Sequence, residues 1–197
     1  MATSNPTTTE TAVLTAESTA PASKEGLNRS TLWIVFAAAV FSTHVWALID
    51  FFQEYTVWIK RMNTSELLGA FSYLMGVFTL PDAIFLFLGV LLLALILPYR
   101  FFRQKFATLG SALALITAVW FMIFHFFPKW LEQRNWIALG LWAVSYVVVL
   151  GAAYVYIWRS PKVAGFVDNF MQRAAGLAGL YLFIDLLCII NVVFRAF

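Results

Sequence analysis

The chain contains repeated stretches of about 20 apolar residues, which begin near Thr31 and continue to the C-terminus. At a rise of about 1.5 Å per residue, each stretch forms a helix long enough to cross roughly 30 Å of hydrocarbon. The composition agrees, because 62% of the 197 residues are hydrophobic and only 12% are charged. The sequence therefore predicts an all-α integral membrane protein, since helices satisfy their own backbone groups in lipid.

Charged and proline residues divide this apolar sequence into five predicted membrane spans. Pro81 disfavours helix at the preceding residue and suits a first helical turn, so we expect a break at Thr79 or Leu80. A short interfacial or re-entrant helix is then predicted for residues 65–79. The expected fold is one bundle domain over residues 31–197, with Ser30 as first N-cap and spans at residues 31–52, 81–99, 106–127, 136–158 and 174–194.

The first 30 residues differ from the rest, being rich in Thr, Ser and Ala and poor in residues that could build a core. We expect them to form a disordered tail. Orientation follows from the Lys and Arg residues on each side of the predicted spans. Eight lie on the side of the N-terminus and five on the opposite side, which favours a cytoplasmic N-terminus and an outside C-terminus.

Four ionisable residues fall within predicted spans, where charge is costly and function is sought first. Asp185 lies near the middle of the last span, and Tyr181 and Cys188 share its helical face. This polar stripe has two interpretations, a hydrogen bond that fixes helix packing or a proton- or ion-handling site. Asp82 is explained by its expected position in a first helical turn, where the helix dipole favours an acid.

The two histidines, His44 and His125, lie on different predicted spans near the same membrane face. Two such residues could ligate a b-type haem, and the alternative is a pair of hydrogen-bonded bundle histidines. No metal cluster, phosphate-binding loop or catalytic triad pattern is found in the sequence, so we expect no catalytic activity. The net charge of +3 forms no basic stripe that would indicate nucleic-acid binding.

The last span also resembles a known family. Phe183-Ile184-Asp185, followed by Ile189 and Val192-Val193, is similar to the Phe-Leu-Asp stretch near the C-terminus of haem-copper oxidase subunit III. Leu80 to Leu88, with Asp82 before a Leu/Phe run, and Trp33-Ile34 are further points of resemblance. The five-helix form of that family implies an accessory subunit without redox centres, which packs against a catalytic subunit and can bind lipid.

The leading hypothesis is a non-catalytic accessory or assembly subunit of a larger membrane complex, with a respiratory or other electron-transfer complex as the first candidate. Its partners would be other membrane subunits and lipid, and its cofactor, if any, is unknown. Small residues on the last span would let a neighbouring helix approach closely, namely Ala174, Gly176, Ala178 and Gly179. Two alternatives remain, a small b-haem electron-transfer protein using His44 and His125, and a proton- or ion-coupled transporter centred on Asp185.

Overall fold

A computed structural model describes residues 27–196 of the chain, and all regular structure in this range is helical. The predicted disordered tail lies almost wholly outside the described residues. A π-helical segment covers Tyr73–Thr79, and a 3₁₀ turn covers Arg103–Lys105. The α-helices are α1 (Arg29–Trp58), α2 (Thr64–Ser72), α3 (Leu80–Ile96), α4 (Phe106–Phe126), α5 (Lys129–Glu132), α6 (Trp136–Arg159) and α7 (Pro161–Ala196).

Five helical segments of the described range are long and apolar enough to cross a membrane, which confirms the predicted class. Two of them end within a residue of the prediction, α4 at Phe126 and α6 at Arg159. Helix α1 starts earlier than expected, because Asn28 caps it in place of Ser30. The Asn28 side chain accepts a hydrogen bond from the backbone N–H of Arg29 at 2.7 Å, and Thr31 Oγ1 accepts one from the Asn28 N–H at 2.9 Å.

The second span differs most from the prediction, because the helix does not break before Pro81. Thr64 to Ile96 is one continuous helical segment, so no separate interfacial or re-entrant helix covers residues 65–79. Proline inside an α-helix removes a hydrogen bond and clashes with a carbonyl one turn earlier. The wider π turns before Pro81 accommodate it: the Leu80 N–H donates to the Met75 carbonyl, and the Thr79 hydroxyl donates to the Leu74 carbonyl at 2.8 Å.

Helix α1 occupies the centre of the bundle and contacts α3, α4 and α7. Its middle turns carry short side chains that are completely buried: Val35, Ala37, Ala38, Ala39 and Val40. Short side chains let neighbouring backbones approach closely, which is the usual way in which membrane helices pack. The centre of the fold is thus a small-residue core around one helix.

The last span is longer than predicted, since α7 begins at Pro161 and not near Ala174. Residues 161–173 contain charges that lower the hydropathy of this stretch. One of these charges has an internal partner, because the Thr108 hydroxyl donates to the Asp168 carboxylate at 2.6 Å. Met171 is also buried in the core. Helix α7 therefore continues along the bundle for 36 residues.

Candidate functional site

A buried pair of ionisable residues joins the central helix to the last helix. His44 on α1 and Asp185 on α7 are 0% and 1% exposed, and His44 Nε2 lies 2.9 Å from both carboxylate oxygens of Asp185. Two residues that are 141 positions apart in sequence are therefore hydrogen-bonded to each other inside the bundle. Ionisable groups at membrane depth usually pair with one another and mark functional or specificity-determining positions.

The hydrogen-bond partners of the two His44 ring nitrogens limit which atoms of this pair can carry protons. Its other ring nitrogen, Nδ1, lies 2.7 Å from the Val40 carbonyl oxygen. A carbonyl only accepts hydrogen bonds, so Nδ1 must carry a proton and donate it. One further proton then lies between Nε2 and the Asp185 carboxylate. Whether it resides on the ring or on the carboxyl group, the pair as a whole is neutral, which reduces the cost of burying it.

Aromatic and polar side chains surround the pair. The Tyr181 ring stacks on the His44 imidazole with 5.1 Å between centroids, and Cys188 is buried one turn beyond Asp185. Farther along α7, Asn191 donates a hydrogen bond to the Ser72 hydroxyl at 2.8 Å. The predicted stripe of Tyr181, Asp185 and Cys188 on one face of the last helix is therefore the face that α7 turns toward α1 and the π segment.

The structure places His125 elsewhere, on the surface of the bundle at the end of α4. Its Nε2 lies 3.2 Å from Asp50 Oδ1 on α1, and the Trp46 indole meets its ring edge to face at 5.2 Å. Both ring nitrogens of His44 are already engaged, one by Val40 and one by Asp185. A haem held between His44 and His125 therefore does not fit this arrangement.

Asp82 lies in the first turn of α3, as the sequence predicted. It belongs to the middle of the continuous segment from Thr64 to Ile96, and its neighbour Ala83 is buried against Ala37 and Val40 of α1. Its carboxylate lines a cleft at the bundle surface and forms no hydrogen bond or ion pair with any described side chain. Asp82 thus keeps its predicted first-turn position, in a helix that follows the π segment without a break.

The four small residues predicted to pack against a neighbour divide into two pairs. Ala174 and Ala178 are buried within the bundle, where Ala178 contacts the α1 core. Gly176 and Gly179 are exposed, and a Cβ built at either position would meet nothing within 4 Å. Only the two glycines are thus open to a second molecule.

Two residues that the sequence analysis did not single out belong to these sites. Asp50 is the partner of His125, and Thr43 lines the surface cleft while its hydroxyl lies 3.5 Å from His44 Nδ1. Helical periodicity could have found them, because Thr43, Trp46 and Asp50 share one face of α1. Val40, His44, Ala47 and Phe51 share the other, buried face.

Comparison with protein-family models, with curated proteins and with solved structures found no match. The resemblance to haem-copper oxidase subunit III therefore stays a prediction. What the site can do follows from its geometry alone. The His44 and Asp185 pair can hold α1 against α7, and it can shift one proton between two atoms 2.9 Å apart.

Proposed function

We propose that the chain is a non-catalytic accessory or assembly subunit of a larger membrane complex. The observation that carries this proposal is the open surface of α6. None of its most apolar stretch is buried within the bundle, whereas 39% of the corresponding stretch of α1 is buried. Helix α6 is attached mainly through one side, where the Trp142 and Trp120 indoles each donate to the other residue's backbone carbonyl and Thr117 hydrogen-bonds Tyr146.

Exposed glycines support the same proposal. Gly140 and Gly151 on α6, like Gly176 and Gly179 on α7, have open space where a side chain would begin. In membranes, small residues favour helix association because they let two backbones come close. A face built for lipid alone gains nothing from glycine, which lowers helix propensity by about 1 kcal/mol relative to alanine. These faces of α6 and α7 are suited to partner helices.

The finer parts of the proposal come from the sequence. The resemblance of Phe183-Ile184-Asp185 and its neighbours to haem-copper oxidase subunit III makes a respiratory or electron-transfer complex the first assembly to test. The excess of Lys and Arg on the N-terminal side favours a cytoplasmic N-terminus and an outside C-terminus. The residues buried between subunits would then include Gly176 and Gly179.

Gly179→Leu is expected to release the protein from its complex, because a leucine there would hold a partner helix away from α7. Gly89→Leu is the matched control, since Gly89 also has open space but lies on α3. The measurement is the size of the complex on a native gel after mild detergent extraction. The wild-type and Gly89→Leu proteins should migrate together with partner subunits. The Gly179→Leu protein should migrate without them. An unchanged complex in Gly179→Leu would count against the proposal.

The buried pair favours a second candidate, a proton-coupled carrier centred on Asp185. Its support is that the pair holds one transferable proton between His44 Nε2 and the carboxylate at membrane depth. The Thr43 hydroxyl lies 3.5 Å from His44 Nδ1 and also lines the surface cleft, so a polar group connects the pair with the cleft.

Asp185→Asn tests this candidate without disrupting the fold. The asparagine amide can still donate a hydrogen bond to neutral His44, but it cannot exchange a proton. In liposomes with an imposed pH gradient, the wild-type carrier would dissipate the gradient. With the Asp185→Asn variant, the gradient would decay only as fast as it does in protein-free liposomes. Equal proton flux in the two proteins, or none in the wild type, would exclude the coupling role.

A further inference from the structure

A cleft of about 580 Å³ lies between α1, α3 and α4. Its volume is in the range that accommodates drug-sized molecules. Helices α3 and α4 are joined by a short connection at one end, and their side chains form the two walls. The cleft opens at the bundle surface, where Phe85 and Phe121 are 71% and 63% exposed.

The lining of the cleft is largely apolar, with a few polar groups that come together in it. Leu86, Val90 and Leu93 provide an aliphatic wall from α3. The polar groups are the Asp82 carboxylate, the Thr43 and Thr117 hydroxyls, Tyr146 and the His125 imidazole. An apolar pocket with a small number of convergent polar groups is the usual form of a small-molecule site.

Asp82 is the group in this cleft that lacks a partner. The Thr117 hydroxyl is hydrogen-bonded to Tyr146 at 2.7 Å, and His125 is paired with Asp50. The Asp82 carboxylate has no such contact with any residue in the range 27–196, although Ala83 beside it is packed against the middle of α1. A carboxylate at membrane depth is costly unless a cation or a hydrogen-bond donor pairs with it.

We propose that this cleft binds a lipophilic organic cation, with the positive charge on Asp82 and the apolar body between α3 and α4. The electrostatics favour a cation, because the ionisable groups at or beside the cleft are two carboxylates, Asp82 and Asp50, and one histidine already paired with Asp50. The aromatic faces of Trp46, Phe85 and Phe121 provide further attraction for a cation through their ring quadrupoles.

Tetraphenylphosphonium and tetraphenylborate test the proposal, because the two ions have the same shape and opposite charge. The full-length protein in detergent should bind the phosphonium and not the borate, measured by equilibrium dialysis. Asp82→Asn keeps the size of the side chain and removes its charge. It should weaken phosphonium binding about tenfold, which corresponds to about 1.4 kcal/mol.

Gly89→Leu locates the site. Gly89 lines the cleft and has open space around it, so a leucine should fill the cleft without disturbing the packing. Phosphonium affinity should fall at least tenfold in Gly89→Leu and stay unchanged in Gly179→Leu, which lies on another helix. Equal binding of the two ions, no phosphonium binding by the wild type, or unchanged affinity in Asp82→Asn would overturn the proposal. Cross-linking of a copurified protein to a photoreactive residue at position 89 would also overturn the proposal, because a partner protein would then occupy the cleft.

Discussion

Asp185→Ala is expected to lower the free energy of unfolding by about 3 kcal/mol, because it leaves His44 buried with an unpaired ring nitrogen. His44→Ala should cost a similar amount, because it leaves the Asp185 carboxyl group buried without its partner. The double variant should cost about 2 kcal/mol less than the sum of the two single variants, since it removes both partners of one interaction. The measurement is reversible unfolding in mixed detergent micelles for all four proteins of the cycle.

The control for this cycle is a second interhelical hydrogen bond that carries no charge. Tyr146→Phe removes the bond between Tyr146 and Thr117, which is half-buried and joins α4 to α6. Its loss should cost about 1 kcal/mol. If the effects of His44→Ala and Asp185→Ala simply add, the pair does not stabilise the contact between α1 and α7, and the structural role assigned to it is wrong.

Gly76→Leu should produce a loss of similar size, about 3 kcal/mol, at the contact between the π segment and α7. A Cβ at Gly76 would lie 2.9 Å from Ile189 Cγ1 and 3.1 Å from the Ile189 backbone nitrogen. The side chain of Ile189 could adjust, but a backbone nitrogen moves only if the two helices separate. A thermal unfolding curve in detergent should therefore shift strongly to lower temperature.

Gly89→Leu is the matched control for Gly76→Leu, because it makes the same replacement in the same continuous helical segment. Position 89 has open space, so its stability should change by less than about 0.5 kcal/mol. If the two leucine variants unfold at the same temperature, close approach at Gly76 does not hold the second span against the last.

Hydropathy and helix-ending residues predicted much of the fold. Pro128 and Arg159 locate the ends of α4 and α6 because each stops an apolar stretch abruptly. The prediction failed at Pro81, where a π segment accommodates the ring in a way that local preferences do not reveal. It also failed at the start of α7, because the charges of residues 161–173 obscure a helix whose Asp168 is bonded to Thr108 within the bundle.

The site was predictable along one helix but not between helices. The spacing of Tyr181, Asp185 and Cys188 is a property of one helix and was visible in the sequence. The pairing of Asp185 with His44 depends on the axial position of α7 relative to α1. That position is set by the packing of the whole bundle. The same reason explains why the two histidines that suggested a shared haem are kept apart. His44 on α1 meets Asp185 of α7, and His125 on α4 meets Asp50 of α1.

The π segment has an angular consequence for Asp82. An α-helix advances by about 100° per residue, and each π turn takes up one more residue than an α turn. Residues 73–79 therefore rotate everything after them relative to Ser72, which Asn191 holds in place. If the same residues were wound as an ordinary α-helix, Asp82 would turn by roughly 100° about the helix axis, out of the cleft. The direction of the unpaired Asp82 carboxylate thus depends on the extra residue held by the π segment before Pro81.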